Sequence, residues 1–349
     1  MNRREFLAGA AAAALRPSLD TGAGESALRN AAASRGLLYG AATSTGQLHD
    51  ADFAAALVRE SAILVPEYEM KRGVIEAVEG RYDFSGADAL AGFAQRHGLK
   101  LRGHPLVWHK RNPDWLTGRR GEADLTGFVT AMAARYRGRI HSWDVVNEAI
   151  DITAPGNLRR TVWLESLGPS YVDLAFHAAR AADPDALLVY NDWGCELGAA
   201  DNDRFRAATL DFLEGLRARG VPVDGYGMQG HLGFQGAQVD QAKLRMFAGR
   251  VRAMGLKILV TEHDVDDDGG PDDPAARDRL VADTSRRFLD VMLDNAATAA
   301  VLTWGLSDRY LDPPGWKQRL AGWLPRRLPL DSALARKPMW QAMHAAFAG

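Results

Sequence analysis

The sequence predicts a single (β/α)8 barrel, and three observations carry that expectation. Eight short β-rich runs alternate with amphipathic helical stretches from about residue 35 onward, the pattern of a parallel sheet closed on itself. The first run ends Gly40-Ala41-Ala42-Thr43 with no Gly-x-Gly-x-x-Gly turn behind it, so the competing doubly wound nucleotide-binding sheet lacks its fingerprint. The runs also end in Glu, Asn, His and Trp. Polar groups there are costly unless paired or wet, and barrel enzymes keep their chemistry at the strands' carboxyl ends.

In chain order the runs fall at 37–42, 62–66, 99–107, 140–146, 187–191, 223–229, 257–261 and 299–304. The helices between them have readable ends. Ser85 is placed to cap one, with Asp88 three residues on in capping-box spacing, and Gly98 stops it after His97. Asp183-Pro184 breaks the helix that begins near Ser170, because proline cannot continue it. Gly220 and Gly255 end two more as left-handed residues. A last helix near 332–347 closes the barrel, with Leu334, Trp340 and Met343 facing inward as core. Trp115, Trp163 and Trp323 read as packing.

At 349 residues the chain accommodates one such barrel and no substantial second domain. Its 47% hydrophobic and 25% charged residues are ordinary for a globular protein. A net charge of −2 without blocks of like charge leaves no footprint for nucleic acid or an anionic membrane. The lone Cys195 cannot form an intramolecular disulfide, and without a catalytic signature around it reads as a passive thiol. Arg3-Arg4-Glu5-Phe6-Leu7, followed by an alanine-rich run to Leu15, resembles a twin-arginine export signal. Its apolar run is far shorter than the roughly 20 residues a bilayer-spanning helix needs. The expected organisation is a signal segment over residues 1–30, its end not fixed by a clean Ala-x-Ala site, and a catalytic barrel over 31–349. The expected location is secreted or periplasmic, with no membrane contact after signal removal.

Two glutamates stand out at strand ends. Glu148 closes Trp143-Asp144-Val145-Val146-Asn147-Glu148, and Glu262 closes Ile258-Leu259-Val260-Thr261-Glu262. Two carboxyls across one cleft are what glycoside hydrolysis uses, one protonating the leaving oxygen and the other attacking the sugar or activating water. Other polar residues gather at the same face: Glu67, Glu69 and Lys71 after run two, His104, Trp108 and His109 at run three, Asn191, Asp192 and Trp193 at run five, Gln229 and His231 at run six, Asp264 at run seven, and Trp304 with Asp308 at run eight.

From about Leu28 to the C-terminus these motifs resemble glycoside hydrolase family 10, the endo-1,4-β-xylanases. The resemblance rests on Gly40-Ala41-Ala42, Glu69-Met70-Lys71, Gly103-His104-Pro105-Leu106-Val107-Trp108-His109, the 143–149 segment, Asn191-Asp192, Gln229-Gly230-His231-Leu232, Thr261-Glu262 with Asp264, and Thr303-Trp304-Gly305, in that order. It implies Glu148 as acid/base and Glu262 as nucleophile of a retaining endo-xylanase. It implies Asn147 on the sugar 2-hydroxyl, His231 holding Glu262 with Asp264 behind it, and Gln229 beside the acid. Trp108 and Trp304 become aromatic walls, and His104, Glu67 and Lys71 ligands of sugars on the non-reducing side. It implies xylan or xylo-oligosaccharides as partners; no cofactor and no metal are expected, and the chain is expected to act as a monomer. It also implies a cis bond at His104–Pro105, which proline makes cheap at about 0.5–1 kcal/mol.

Four positions depart from the family pattern: Tyr68 where Asn is usual, Arg72 for Trp, His263 for Leu, and no Ser-Trp pair near Leu311-Asp312, which Trp316 could replace. Tyr68 and Arg72 are expected at the second sugar, altering the non-reducing-side subsites. The alternatives are a non-catalytic glycan-binding barrel and a hydrolase of the same family with altered β-glycoside specificity. A metal-dependent barrel hydrolase wants His ligands at the end of the first strand or a His-Glu-x-x-His, and neither is present.

Overall fold

A computed structural model describes residues 26–311 and 324–349. Its strands follow the apolar runs: β1 Leu38–Thr43, β2 Ile63–Pro66, β3 Lys100–Gly103, β4 Ser142–Asn147, β5 Leu187–Asp192, β6 Gly225–Met228, β7 Lys257–Asp266 and β8 Thr298–Thr303. Each pairs in parallel with its sequence neighbour, and β8 pairs with β1, so the sheet closes into an eight-stranded (β/α)8 barrel. Strands buried on both faces read as continuous apolar runs. Every residue of β2 and β4 is indeed buried.

Ala42, Ile63, Val65, Val189, Leu259, Ala300 and Leu302 fill the inside of the barrel, while a larger apolar layer joins its outer face to the helices. β1 and β2 leave no room for a side chain at Gly40, where an added Cβ would lie 1.8 Å from the Ile63 carbonyl oxygen. A backbone oxygen cannot rotate away as a side chain could. Gly40→Ala is therefore expected to cost about 3 kcal/mol, read as a lower denaturation midpoint; an unchanged midpoint would contradict the close approach.

The helices end largely where expected. Gly98, Gly220 and Gly255 adopt positive φ, and Tyr171–Ala182 stops before Asp183-Pro184. Four expectations need correction. Ser85 is the first helical residue and caps nothing; the Asp83 carboxylate accepts its N–H at 2.9 Å instead. The last helix is Pro338–Ala348, since Pro338 suits a first turn, and Leu334 lies outside it at φ 66 while Trp340 and Met343 are fully buried. The third strand is shorter than expected, with Val107 rejoining only as a bridge to Val146. The His104–Pro105 bond is trans, because no cis peptide occurs among the described residues. The trans form is the intrinsically preferred one, and the chain after it keeps its course along β4, with Leu106 N–H donating to Asp144 O at 2.8 Å and Val107 N–H to Val145 O at 3.0 Å.

At the N-terminal side, the helix Leu28–Ala33 packs on the barrel. Leu28 is fully buried, and its N–H donates to the Glu60 carboxylate at 3.0 Å, which also accepts the Trp340 indole N–H at 3.0 Å. The twin-arginine-like stretch, Trp316 and Trp323 lie outside the described residues.

Candidate active site

The strands' carboxyl ends open into a cleft of about 630 Å3. Glu67, Lys71, His104, Trp108, Asn147, Glu148, Gln229, His231, Glu262 and Trp304 all line it, and Asp264 stands behind His231. Glu148 follows β4 directly, in the left-handed region at φ 56. That conformation costs a non-glycine residue about 1–2 kcal/mol, and hydrogen bonds on both sides hold it: Glu148 N–H to Asn191 O and Arg159 Nε–H to Glu148 O, each 2.9 Å. The turn lifts the side chain off the strand into the cleft. One carboxyl oxygen, Oε1, accepts from the Gln229 amide at 3.3 Å. The other, Oε2, has no hydrogen bond; His109 Nε2 and Lys110 Nζ stand 3.7 and 3.6 Å away.

Glu262 sits within β7, its N–H donating to Gln229 O at 2.9 Å. Its Oε1 accepts from Asn191 Nδ2 at 2.9 Å, and its Oε2 lies 3.3 Å from His231 Nε2. The imidazole is delivered by a short strand, His231–Gly233, whose register sets His231 against Asp264 of β7, so that Nδ1 meets the Asp264 carboxylate at 2.7 Å. Burial works against charge on this ring, but the flanking Asp264 and Glu262 carboxylates outweigh it and hold its pKa well above the ordinary value. Glu262 is the complement: burial alone would raise it, but the His231 hydrogen bond, the nearby His104 and His231 charges and the Asn191 amide bring it down to about 2. Glu262 is thus ionised throughout the neutral range.

Asn191 is the hinge of the constellation. Thr261 Oγ1 donates to its Oδ1 at 2.7 Å, which turns its Nδ2 toward both Glu262 and the Asn147 amide, the latter at 2.8 Å. Asn147 in turn neighbours Glu148, so three side chains, Asn147 of β4, Asn191 of β5 and Thr261 of β7, connect the surroundings of the two carboxyls around one cleft. In the sequence Asn191 is marked only as a strand-end residue; Thr261, the residue before the second glutamate, is the signal that points to its role.

The walls are equally ordered. His104 Nδ1 meets Asp144 Oδ2 at 2.9 Å, while the other oxygen of Asp144 pairs with the fully buried Arg102. The His104 ring stands edge-on to Trp304 with centroids 5.4 Å apart. Lys71 Nζ lies over Tyr68, Trp108 and Trp304 at 4.9, 5.3 and 5.7 Å. Burial lowers the Lys71 pKa, opposed by Glu262 and Glu67, and burial raises that of Glu67.

Several strand-end residues serve structure instead. Glu69 turns away to accept Thr45 N–H and Oγ1–H at 2.6 and 2.9 Å. Asp308 binds Lys337 at 2.6 Å. Cys195 is buried, and burial pushes its thiol up to about 12. Of the departures, Tyr68 does line the cleft, but Arg72 does not. It is buried against Trp115, Phe128 and Trp163 and pairs with Glu76 at 2.9 Å. His263 is a satisfied interior residue, bonded to Gly230 O and Ser285 Oγ, and burial lowers its pKa to about 4. Cleft residues that sequence reasoning assigned no role are Lys110, Arg111, Trp193, Glu196 and Asn202. Among the described residues no cluster of three or more His, Cys, Asp or Glu could hold a metal ion.

Comparison with known proteins accords with this arrangement. A family model described as Glycosyl hydrolase family 10 matches residues 27–346. The chain is 34% identical over 287 residues to endo-1,4-beta-xylanase B of Thermotoga neapolitana, covering 80% of each. It is similar to the structure of native xylanase 10B from Thermotoga maritima, with a TM-score of 0.82, 30% identity, and coverage of 92% of this chain and 98% of that one. Xylanase 10B from Thermotoga petrophila RKU-1, solved with xylobiose, matches at a TM-score of 0.81 and 30% identity, over 92% of this chain and 97% of that one.

Proposed function

The chain belongs to glycosyl hydrolase family 10, and from that premise we propose that it is a retaining endo-1,4-β-xylanase hydrolysing internal β-1,4-xylosidic bonds of xylan. The observation that carries the reading is the asymmetry of the two carboxyls in one cleft. Glu262 is held ionised by His231 and Asn191, while Glu148 offers the cleft an oxygen with no hydrogen-bond partner. Two carboxyls in different environments are the arrangement that acid and nucleophile need.

In the first step the Glu262 carboxylate attacks the anomeric carbon as Glu148 gives its proton to the departing glycosidic oxygen, leaving a covalent glycosyl ester on Glu262. In the second, Glu148 takes a proton from water, which attacks the same carbon and frees Glu262. Two inversions give net retention, and the route requires carboxyls roughly 5–5.5 Å apart. Asn147 lies where it can bond the 2-hydroxyl, a contact that strengthens as charge develops on the ring. Trp108 and Trp304 flank the sugar at the cleavage point, and Glu67, Lys71 and His104 bind hydroxyls toward the non-reducing side. The xylobiose bound by the Thermotoga petrophila enzyme supports a substrate of this class.

The test is product analysis on linear xylohexaose. Xylobiose, xylotriose and xylotetraose are expected as first products; xylose released one unit at a time would contradict endo action, and inert xylohexaose would contradict the activity. The His231 relay gives a pH prediction. With Glu262 depressed by His231, removing the ring in His231→Asn raises the Glu262 pKa. The acid limb of kcat/KM, which reports the free enzyme, then moves to higher pH. An acid limb that stays in place would show that His231 does not hold the nucleophile ionised.

The protein acts as a monomer and is exported through a twin-arginine segment within residues 1–30. A reporter fused after residues 1–30 should leave the cytoplasm, and should remain inside when Arg3 and Arg4 are both replaced by Lys.

A further inference from the structure

We propose that Arg111 anchors a carboxylate on the substrate, so that the cleft prefers xylan carrying a uronic-acid branch near the sugars bound at its Glu67–Tyr68–Lys71 end. The inference rests on the xylanase reading and specifies its substrate. Arg111 lines the cleft and is exposed. Its backbone is fixed: it adopts φ 55, and its carbonyl accepts the Gly73 N–H at 2.8 Å. An added Cβ at Gly73 would lie 2.6 Å from that same oxygen, so the loops after β2 and β3 touch backbone to backbone. The side chain thus leaves from a clamped position at the rim.

Its guanidinium has no hydrogen bond or ion pair among the described residues. The arginines nearby are tied down: Arg102 to Asp144 and Ser142, and Arg159 to the Glu148 and Ile150 carbonyls. The carboxylates at this end are engaged elsewhere, Glu67 with the Tyr68 hydroxyl and Gln47 and Glu69 with Thr45. Arg111 acts electrostatically on both Tyr68 and Lys71. Lys71 and Lys110 also line the cleft, but carboxylates stand beside them: Lys110 lies 3.6 Å from Glu148, and Lys71 is in the field of Glu67 and Glu262.

Unbranched xylan offers Arg111 only hydroxyl and ether oxygens. A planar guanidinium matches a carboxylate with two parallel hydrogen bonds, stronger than those to neutral acceptors. The uronic acid is the sugar that brings one. Tyr68, 45% exposed beside this group, gives the branch ring an apolar face.

The test compares two xylo-oligosaccharides that differ only in the branch, one bearing a uronic acid and the other the same sugar with its carboxyl reduced to the alcohol. For the unaltered protein the acidic substrate is expected to have a kcat/KM higher by about three- to tenfold at low ionic strength, a ratio that falls as salt screens the pair. In Arg111→Gln the ratio drops to near one, and Arg111→Lys, which keeps charge but loses the fork, lies between. Because the readout is a ratio within one preparation, partial loss of folded protein does not mimic the effect. Equal rates on both substrates with the unaltered protein, or a preference that survives Arg111→Gln, overturn the proposal and leave the xylanase reading standing. Failure to cleave either substrate overturns both.

Discussion

Glu262→Ala is expected to lower kcat on xylohexaose by on the order of 10^4-fold or more, since the covalent route then has no nucleophile. Glu262 is a buried residue at 6% exposure, so the cause must be separated from damage to the fold. Two observations do this. The barrel interior does not depend on the Glu262 side chain, whose partners are Asn191 and His231 at the cleft floor, so the variant is expected to unfold cooperatively. A small external nucleophile such as azide, entering the space left by the carboxylate, should restore turnover of an activated aryl xylobioside in a single displacement and give the α-glycosyl azide. A β-linked azide product, or a variant with undiminished turnover, would assign the nucleophile elsewhere.

Glu148→Ala carries the second large effect, and its signature depends on the leaving group. On xylohexaose, whose departing oxygen needs a proton, kcat/KM is expected to fall by about 10^2- to 10^4-fold. An aryl xylobioside with an acidic phenol leaves without help, so its first step survives while water attack on the glycosyl ester loses its base. A burst of phenol followed by slow turnover is the expected trace. Here azide replaces the water and needs no base, giving the β-glycosyl azide, opposite in configuration to the product rescued by Glu262→Ala. Equal losses on both substrates without a burst would mean that Glu148 only positions the sugar. The strained φ of 56 and its two backbone hydrogen bonds belong to the main chain, so they persist in the variant.

The barrel and its acid pair were legible because both depend on local patterns. Doubly buried parallel strands are continuous apolar runs, and a polar residue ending such a run faces the cleft in most cases. The failures are where a neighbour distant in sequence, or one degree of rotation, decides. Lys71 and Arg72 are adjacent, yet Arg72 begins the helical turn Arg72–Ile75, which swings it away from the cleft to Trp115, Phe128 and Trp163. Glu76, four residues on, was the local sign of that pairing. His263 departs from the family pattern, but its partners Gly230 and Ser285 come from elsewhere in the chain and make it an ordinary interior residue. Ser85 has the composition of a cap, but the helix starts on it, so Phe84 takes the cap position without a side-chain acceptor and Asp83 accepts the Ser85 N–H from one residue further back. The trans His104–Pro105 bond shows the limit of resemblance, since the pairing of Leu106 and Val107 with β4 is satisfied without the expected isomer.

Glu262 and Glu148 acting in succession on one anomeric carbon must give net retention. Proton NMR of xylohexaose cleavage, followed from the first minutes before mutarotation, tests this most directly. The β-anomer is expected to appear first and the α-anomer only as the solution equilibrates. An α-anomer formed first would mean a single displacement by water, and would contradict the covalent role given to Glu262.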